Sequence, residues 1–244
     1  MAFAVVAGLL AATAARAQET PLVADVSEHL VAITSGFTGK DVLLFGSTDG
    51  PGDIAVVVKG PARDETVRKK NRVGPIWINT ESVTFREVPS FYRVASSRPL
   101  EEFAPQALLS RFQIGAANVR LDGADESLSP ATLAEFRAAL VRLKTSENLY
   151  DEGLGSVNMM SNRLFRTELH FPANVPTGTY FVEVYLFRNG AVASAEIVPF
   201  TISKIGFGAE VYDFAHRFGW IYGLLAIAVA VGAGWAASAA FRRA

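Results

Sequence analysis

The sequence predicts a mainly β protein, an immunoglobulin-like β-sandwich with a helical insert, followed by one C-terminal transmembrane helix. The first observation behind this prediction is the apolar run Gly219–Phe241, which no charged side chain interrupts. A bilayer core ~30 Å thick needs about 20 apolar residues in helical form, and lipid favours a helix because its backbone hydrogen bonds are internal. The second observation is a series of short β-type segments separated by turn residues, and the third is a helical pattern near residues 105–150. The alternative for the apolar run is a buried core helix of a globular enzyme.

The first half of the body contains short segments rich in β-branched and aromatic residues. We predict strands at His29–Thr34, Asp41–Ser47, Asp53–Lys59 and Ser82–Val88. The segment Thr48–Gly52 joins two of them and has the glycine and proline content of a turn. It is not a phosphate-binding loop, because such a loop leads into the N-terminus of a helix and here a strand follows.

The clearest β pattern comes later, at Leu164–Phe171, Tyr180–Phe187 and Ala191–Ile202. Asn189-Gly190 between the last two segments is a strong signal for a two-residue hairpin loop. The strand that begins at Tyr180 follows a Pro-Thr-Gly turn. In immunoglobulin-like domains a tyrosine in this context bonds its hydroxyl back to the corner backbone. We therefore predict either such a tyrosine corner at Tyr180 or an ordinary half-buried strand tyrosine.

Helical spacing appears between the two β-rich parts. Ser129 suits the N-cap position and Pro130 the first helical position. The apolar face predicted to pack on the sheet consists of Leu133, Phe136, Leu140 and Leu143. A shorter helix is predicted at Pro105–Phe112, with Leu108 and Phe112 facing inward. No repeat or low-complexity linker divides the body, so we predict one domain.

Both ends of the chain carry export or membrane signals. Residues 1–17 form a short apolar stretch that ends in Ala-Arg-Ala and predict a signal peptide, cleaved after Ala17 or retained as an N-terminal anchor. Residues 18–208 would then form a periplasmic domain, residues 209–241 a juxtamembrane and transmembrane helix, and residues 242–244 a cytoplasmic tail. Aromatic residues fit the headgroup layer and arginines the cytoplasmic side, which predicts a single-pass protein of the bacterial inner membrane. The residues concerned are Trp220, Tyr222, Arg242 and Arg243.

Charge and cysteine content exclude several classes of function. The chain has 244 residues, a formal net charge of -1 and no cysteine. Three of the 23 basic residues but none of the 24 acidic ones lie in residues 1–17 and 219–244. Residues 18–218 therefore carry 20 basic and 24 acidic side chains, a net charge of 20 - 24 = -4. This balance argues against a nucleic-acid partner. Without cysteine the chain has no disulfide, thiolate nucleophile or cysteine-ligated metal, and we predict no cofactor.

No sequence motif for catalysis or metal binding is present. Gly-x-Ser-x-Gly, Ser-x-x-Lys and His-Glu-x-x-His do not occur. His29 lies near Asp25 and Glu28, either as an incomplete metal site or, as we favour, as a solvated turn. His170 is expected to be structural. We assign no ligand to an acidic loop or to an adjacent methionine pair expected in the core: Asp122, Asp125, Glu126, Met159 and Met160.

Two further patterns are open to a functional interpretation. The basic run Arg68, Lys69, Lys70 and Arg72 is either an exposed loop or a contact for lipid headgroups or an acidic partner. The anchor carries small residues at i, i+4 spacing, which permit close helix approach or simply belong to an Ala-rich span without a partner. These are Ala226, Ala230, Gly234 and Ser238.

Four segments support a resemblance to a known family: Gly74–Asn79, Val88–Tyr92, Ala95–Leu100 and Tyr222–Leu224. In these segments the chain resembles an uncharacterised alphaproteobacterial family of transmembrane proteins, and the resemblance covers nearly the whole chain. The resemblance implies a periplasmic domain with a C-terminal anchor and carries no activity.

Several side chains in these segments have a physical interpretation of their own. We expect Trp77 to be a core aromatic, and Phe91 and Tyr92 to cover a sheet edge. Pro99 favours an extended Arg98. We expect this arginine to form a structural ion pair or, alternatively, to contact a ligand or partner.

The function that fits these observations is a non-enzymatic accessory or assembly subunit of a membrane-protein complex. One alternative is a periplasmic protein that binds a small solute or metal for a transporter or oxidase, in a pocket at Arg98 or His29. Another is a hydrolase whose catalytic residues meet only in space. The predicted partners are the membrane, crossed once, and a membrane protein, with no nucleic acid.

Overall fold

The computed structural model describes residues 21–34, 36–123, 128–151 and 153–242. Its strands are β1 (Leu22–Val26), β2 (Leu30–Ile33), β3 (Gly39–Thr48), β4 (Asp53–Lys59), β5 (Ala62–Val73), β6 (Ile76–Pro89), β7 (Tyr92–Ser96), β8 (Asp122–Gly123), β9 (Gly155–Ser156), β10 (Asn158–Met160), β11 (Leu164–Pro172), β12 (Gly178–Arg188) and β13 (Ala191–Lys204). Its helices are α1 (Leu100–Phe103), α2 (Gln106–Phe112), α3 (Pro130–Ser146), α4 (Phe207–Arg217) and α5 (Gly219–Phe241), with a 3-10 turn at Ala116–Asn118. The predicted signal segment 1–17, Asp125, Glu126 and Arg243 lie outside the described residues.

The strands form three sheets. A four-stranded sheet has the order β1-β3-β11-β10, and a six-stranded sheet has the order β2-β13-β12-β4-β7-β9. A small third sheet, β5-β6-β8, extends from the second. Neighbouring strands are antiparallel except for β2 with β13 and β7 with β9. The mainly β prediction with a C-terminal apolar helix is therefore confirmed.

The predicted hairpin is present as β12 and β13. Asn189 and Gly190 have φ angles of 52° and 73°, and two successive left-handed residues are what a type I′ hairpin turn requires. The pairing then runs from Arg188 opposite Ala191 to Gly178 opposite Ile202. All seven predicted strands exist, with ends that differ by a few residues.

The hydrophobic core lies where the inner faces of the two large sheets meet. Phe171 of the four-stranded sheet packs on Tyr180 and Phe200 of the six-stranded sheet, with ring centroids 5.8 and 5.3 Å away. Tyr180 is fully buried, and its hydroxyl donates to the Pro176 carbonyl at 2.5 Å. The back-bond predicted for a tyrosine corner is thus present, and it satisfies the one polar atom that this ring brings into the core.

Helix α3 begins as the sequence predicts but faces the body differently near its end. The Ser129 hydroxyl accepts from the Thr132 amide at 3.1 Å, which caps the helix. Phe136 is buried as expected, whereas Leu143 is 49% exposed, so its predicted inward position is wrong. Lys144 is buried there instead, because the carboxylate of Glu65 lies 2.6 Å from its ammonium and compensates the loss of water.

Strands β5 and β6 form a long hairpin, which we call the arm. Its pairing continues that of β4 with β7 without a gap. β4 and β7 pair up to Lys59 and Tyr92, the Gly60 amide donates to the Phe91 carbonyl at 2.8 Å, and the arm pairs from Ala62 onward. The basic run predicted as a loop is therefore part of a strand.

Three aromatic expectations are wrong. Trp77 is 67% exposed near the tip of the arm instead of in the core. Phe91 and Tyr92 do not cover an edge but are fully buried. The difference follows from the arm, which carries Trp77 away from the sheets and returns the chain to the core at Phe91.

Candidate functional site

The most distinctive element is the apolar helix α5. It has 23 residues, and an 18-residue window within it has a mean hydropathy of 2.0 and is not buried by the described protein. At 1.5 Å per residue it is roughly 35 Å long, sufficient for a hydrocarbon core. Trp220 and Tyr222 are exposed in its first turn, and Arg242 follows its last. Its small residues are also exposed: Ala226, Ala230, Gly234 and Ser238.

A short amphipathic segment precedes the anchor. Helix α4 starts two residues after β13, and Phe218 separates it from α5 with φ -129° and ψ 48°. Phe214 and Phe218 pack with ring centroids 5.8 Å apart, while Arg217 lies over the Phe218 ring at 5.9 Å. Aromatic rings beside a cation suit the interface between water and lipid.

The basic run lies on the arm, and α3 fastens its inner part. Lys69 approaches Glu135 of α3 at 3.0 Å, and this hydrogen bond raises the pKa of Lys69. Val67 is buried, but every residue from 70 to 82 is exposed. The other members of the basic run, Arg68, Lys70 and Arg72, are exposed as well.

The outward side of the four-stranded sheet presents an apolar surface, which we call the outer face: Val23, Leu43, Phe45, Met160 and Leu164. Phe45 is 44% exposed and Leu164 50%. Together with their neighbours they line a shallow depression of about 360 Å³, in which Asp25 and Arg166 lie on either side of Phe45. Sequence analysis missed this surface because it assigned no strand to β1.

Arg98 lines a cleft of about 790 Å³. Its Nε and Nη2 donate to the two carboxylate oxygens of Asp53 at 2.7 and 2.8 Å, a bidentate pair. Glu102 lies 3.5 Å from Nη1. The hydrogen bonds to Asp53 raise the pKa of Arg98. The expected ion pair is therefore present, and Arg98 also borders a space that a small molecule could enter.

The remaining candidates form no metal site in the described residues. His29 lies 3.1 Å from Asp25, whereas Glu28 is bonded to Lys40. His170 is 54% exposed, with Nδ1 2.6 Å from Asp41. In the methionine pair, Met159 packs against the core and Met160 is 42% exposed, so the core assignment holds only for the first.

Comparison with known proteins gives one family and one distant structural similarity. Residues 21–243 match the family described as "Putative transmembrane protein (Alph_Pro_TM)". No curated protein matches the chain. The crystal structure of BslA, a bacterial hydrophobin, aligns with a TM-score of 0.27 and 12% sequence identity, over 76% of this chain and 96% of that chain. A TM-score this low assigns neither fold nor function.

The family match includes every described strand and helix of the chain. It also includes the apolar span that is long enough to cross a bilayer. The chain is a membrane protein and belongs to the Alph_Pro_TM family of transmembrane proteins.

Proposed function

We propose that this protein is a non-enzymatic accessory or assembly subunit that docks its extramembrane domain on another membrane protein. In this proposal the signal segment is removed, the domain is an immunoglobulin-like sandwich in the periplasm, and α5 anchors it in the inner membrane. The observation that carries the proposal is the outer face, an apolar surface on the four-stranded sheet.

The composition of the outer face fits a protein interface. Cross-strand register places Ser47 between Val23 on one side and Leu164 on the other, and Phe45 lies two residues along the same face. The same register places Phe45 between Asp25 and Arg166, so exposed apolar and charged side chains lie next to one another on this face. Protein interfaces combine apolar and polar groups in this way, and exposed apolar patches mark interaction sites.

The tether favours a partner in the same membrane. Only two residues separate β13 from α4, and α5 follows almost directly. A short tether keeps the domain close to the bilayer and raises its effective concentration toward other proteins anchored there. A modest interface is sufficient under these conditions.

Site-specific photocrosslinking tests the docking surface. A photoreactive residue at Phe45 or Leu164 in the full chain should give an adduct with one membrane protein in native membranes. The matched control is Ala193, an exposed β13 residue of the other large sheet. Phe45→Glu should also reduce the size of the complex in mild detergent. Equal labelling at all three positions, or an unchanged size with Phe45→Glu, would refute the proposal.

A fusion test addresses the proposed topology. A reporter that is active only in the cytoplasm, attached after Ala244, should be active, and a periplasmic phosphatase at the same position should not. The opposite pattern would place the domain on the cytoplasmic side. It would overturn the localisation and leave the docking surface to be judged by crosslinking.

The Arg98 cleft supports a second candidate, binding of a small solute. Its charged lining residues are three acids and two arginines: Asp53, Glu101, Glu102, Arg98 and Arg188. Since Arg98 is already held by Asp53, an anion would have to displace a carboxylate, so the cleft suits a neutral or cationic solute. Differential scanning calorimetry of the full chain with small polyols or amines added should then show a shift in melting temperature. Arg98→Ala should remove this shift. The absence of any shift would dismiss this candidate.

A further inference from the structure

We propose that the outer half of the arm, residues 70–82, contacts the anionic surface of the bilayer in which α5 is embedded. The chain would then touch the membrane at two places, with its helix and with the tip of a β-hairpin. This inference goes beyond the proposed function and does not depend on the outer face.

The first observation is a cluster of exposed apolar residues at the tip. Val73, Ile76, Trp77 and Ile78 are 53%, 58%, 67% and 39% exposed. They flank the two-residue turn Gly74-Pro75, and every residue from 70 to 82 is exposed in the described part of the protein. A folded chain in water seldom exposes such a cluster without a use for it.

The register sorts these residues into two faces. Val73 lies opposite Ile76, and Arg72 lies opposite Trp77. Opposite residues of an antiparallel pair share a face, and successive residues alternate. One face is therefore aliphatic and the other combines an indole with cations: Val73, Ile76 and Ile78 against Lys70, Arg72 and Trp77. Aliphatic groups suit the acyl boundary, and tryptophan suits the headgroup layer.

The charge of the arm matches an anionic lipid surface. Residues 68–82 contain four basic side chains and one acidic one, 4 - 1 = +3, although the whole chain carries -1. The charge of Lys69 is compensated by Glu135, while Arg68, Lys70 and Arg72 face solvent. Clustered cations are drawn to anionic headgroups over about a Debye length. An acidic protein would satisfy the cations but not the aliphatic face, so lipid is the better match.

The arm begins at the same end of the six-stranded sheet as the path to the anchor. Lys59, the last residue of β4, lies opposite Phe181 of β12. Near that end of β12, Gly178 lies opposite Ile202 of β13, and β13 leads into α4 two residues after Lys204. The 12 residues of β5 span roughly 40 Å at ~3.3 Å per residue. With this length, the tip of the arm can contact the bilayer while the body lies some distance from the lipid surface.

Fluorescence of Trp77 tests the contact in the full chain. The protein has three tryptophans, so replacing Trp220 and Trp235 by Phe leaves Trp77 as the reporter. The chain is placed in nanodiscs of phosphatidylglycerol or of phosphatidylcholine, with or without brominated acyl chains. In phosphatidylglycerol we expect a blue-shifted Trp77 emission and at least twofold quenching by bromine. Phosphatidylcholine, or phosphatidylglycerol at high salt, should give markedly less.

Two triple variants separate a specific contact from a general effect of charge. Replacing Arg68, Lys70 and Arg72 by Gln should reduce the quenching to the phosphatidylcholine level. The control replaces three exposed arginines of the body by Gln and should leave the quenching unchanged: Arg111, Arg120 and Arg163. Both variants alter only exposed side chains, and an unchanged melting temperature verifies their folding.

Two results would overturn the inference. The first is Trp77 emission in phosphatidylglycerol nanodiscs that equals that in detergent and is not quenched by bromine. The second is a blue shift seen in native membranes but not in purified lipid, which would mean that the arm binds a protein.

Discussion

The molecule contains two long hairpins that have similar turns but differ in how far their side chains are buried. The hairpin β12–β13 turns at Asn189-Gly190, and the arm turns at Gly74-Pro75, where Gly74 has φ 64°. Both turns therefore use the left-handed backbone that two-residue hairpin loops need. Yet Val182 and Val184 of β12 are fully buried, whereas the arm is exposed from residue 70 to 82.

The difference arises from what flanks each hairpin. Strand β12 lies between β13 and β4, and its inner side chains meet the four-stranded sheet. In the arm, β8 and α3 pack near the base, where Val67 and Phe85 are buried. Hairpin geometry is thus a local property, while burial depends on the availability of a partner. The comparison shows that the apolar residues at the tip of the arm are not buried by any other described part of the chain.

The pH dependence of stability should show the largest effect, and it should be confined to the body. Burial raises the pKa of four tyrosines, none of which lies in the arm: Tyr92, Tyr150, Tyr180 and Tyr185. The unfolded chain then loses their protons near pH 10, before the folded chain does. Their contribution to stability is complete below about pH 10 and is lost as pH rises toward the folded pKa. At pH 11 we expect a loss of up to about 1.4 kcal/mol per tyrosine relative to pH 8.

Chemical denaturation between pH 8 and 11, followed by circular dichroism, measures this loss. The control is Tyr180→Phe, which removes one ionisable group and should reduce the pH-dependent part by about a quarter. The comparison between parent and variant cancels the titration of lysines. Parallel curves for the two proteins would contradict the prediction.

Truncation of one aromatic ring in each region should give the next largest contrast. Phe171→Ala removes a fully buried ring in contact with Phe91, Tyr180 and Phe200, and such a cavity costs about 3–5 kcal/mol. Trp77→Ala removes a larger ring from the arm and should change stability by no more than about 0.5 kcal/mol. Denaturation of both variants in the same detergent measures the contrast. A Trp77→Ala effect as large as that of Phe171→Ala would mean that the arm packs on the body.

The same contrast shows which part of the fold was predictable from sequence. The β12–β13 hairpin follows from Asn189-Gly190 between two β-type segments, and the start of α3 follows from Ser129 and Pro130. These signals are local, because turn and cap residues act within a few positions. The arm has a Gly74-Pro75 turn, but its strands combine charged residues with an aliphatic tip and give no clear β pattern, and Trp77 was assigned to the core on residue type alone.

The candidate sites were predictable only where a local rule applied. The ion pair of Arg98 was expected, but its partner Asp53 lies 45 residues away and is brought near by the pairing of β4 with β7. The outer face depends on β1, β3 and β11 lying side by side. The sequence did contain one signal for this surface. Val42–Phe45 has apolar residues at both odd and even positions, a pattern that indicates a strand with two apolar faces.

Glycine substitutions in the two turns should give a smaller contrast. An added Cβ meets nothing within 4 Å at Gly74, and only Pro105 at 3.9 Å at Gly190. The cost in both turns is therefore the left-handed backbone, about 1 kcal/mol for alanine. Gly190→Ala should reduce global stability by that amount, whereas Gly74→Ala should act only on local opening of the arm tip. Denaturation combined with amide hydrogen exchange at residues 70–80 separates the two outcomes, and equal global losses would contradict the prediction.

The smallest effect is expected at the contact between the arm and α3. Glu135→Gln removes the carboxylate 3.0 Å from Lys69. Both groups are exposed at the surface, so the melting temperature should not change. The substitution leaves Lys69 as an additional uncompensated cation on the arm, so bromine quenching of Trp77 in phosphatidylglycerol nanodiscs should increase slightly at low salt and not at high salt. The matched substitution Glu196→Gln on β13 makes the same change in net charge far from the basic run in sequence, and it should leave the quenching as it is. If both variants increase it equally, net charge and not the arm governs the contact with lipid.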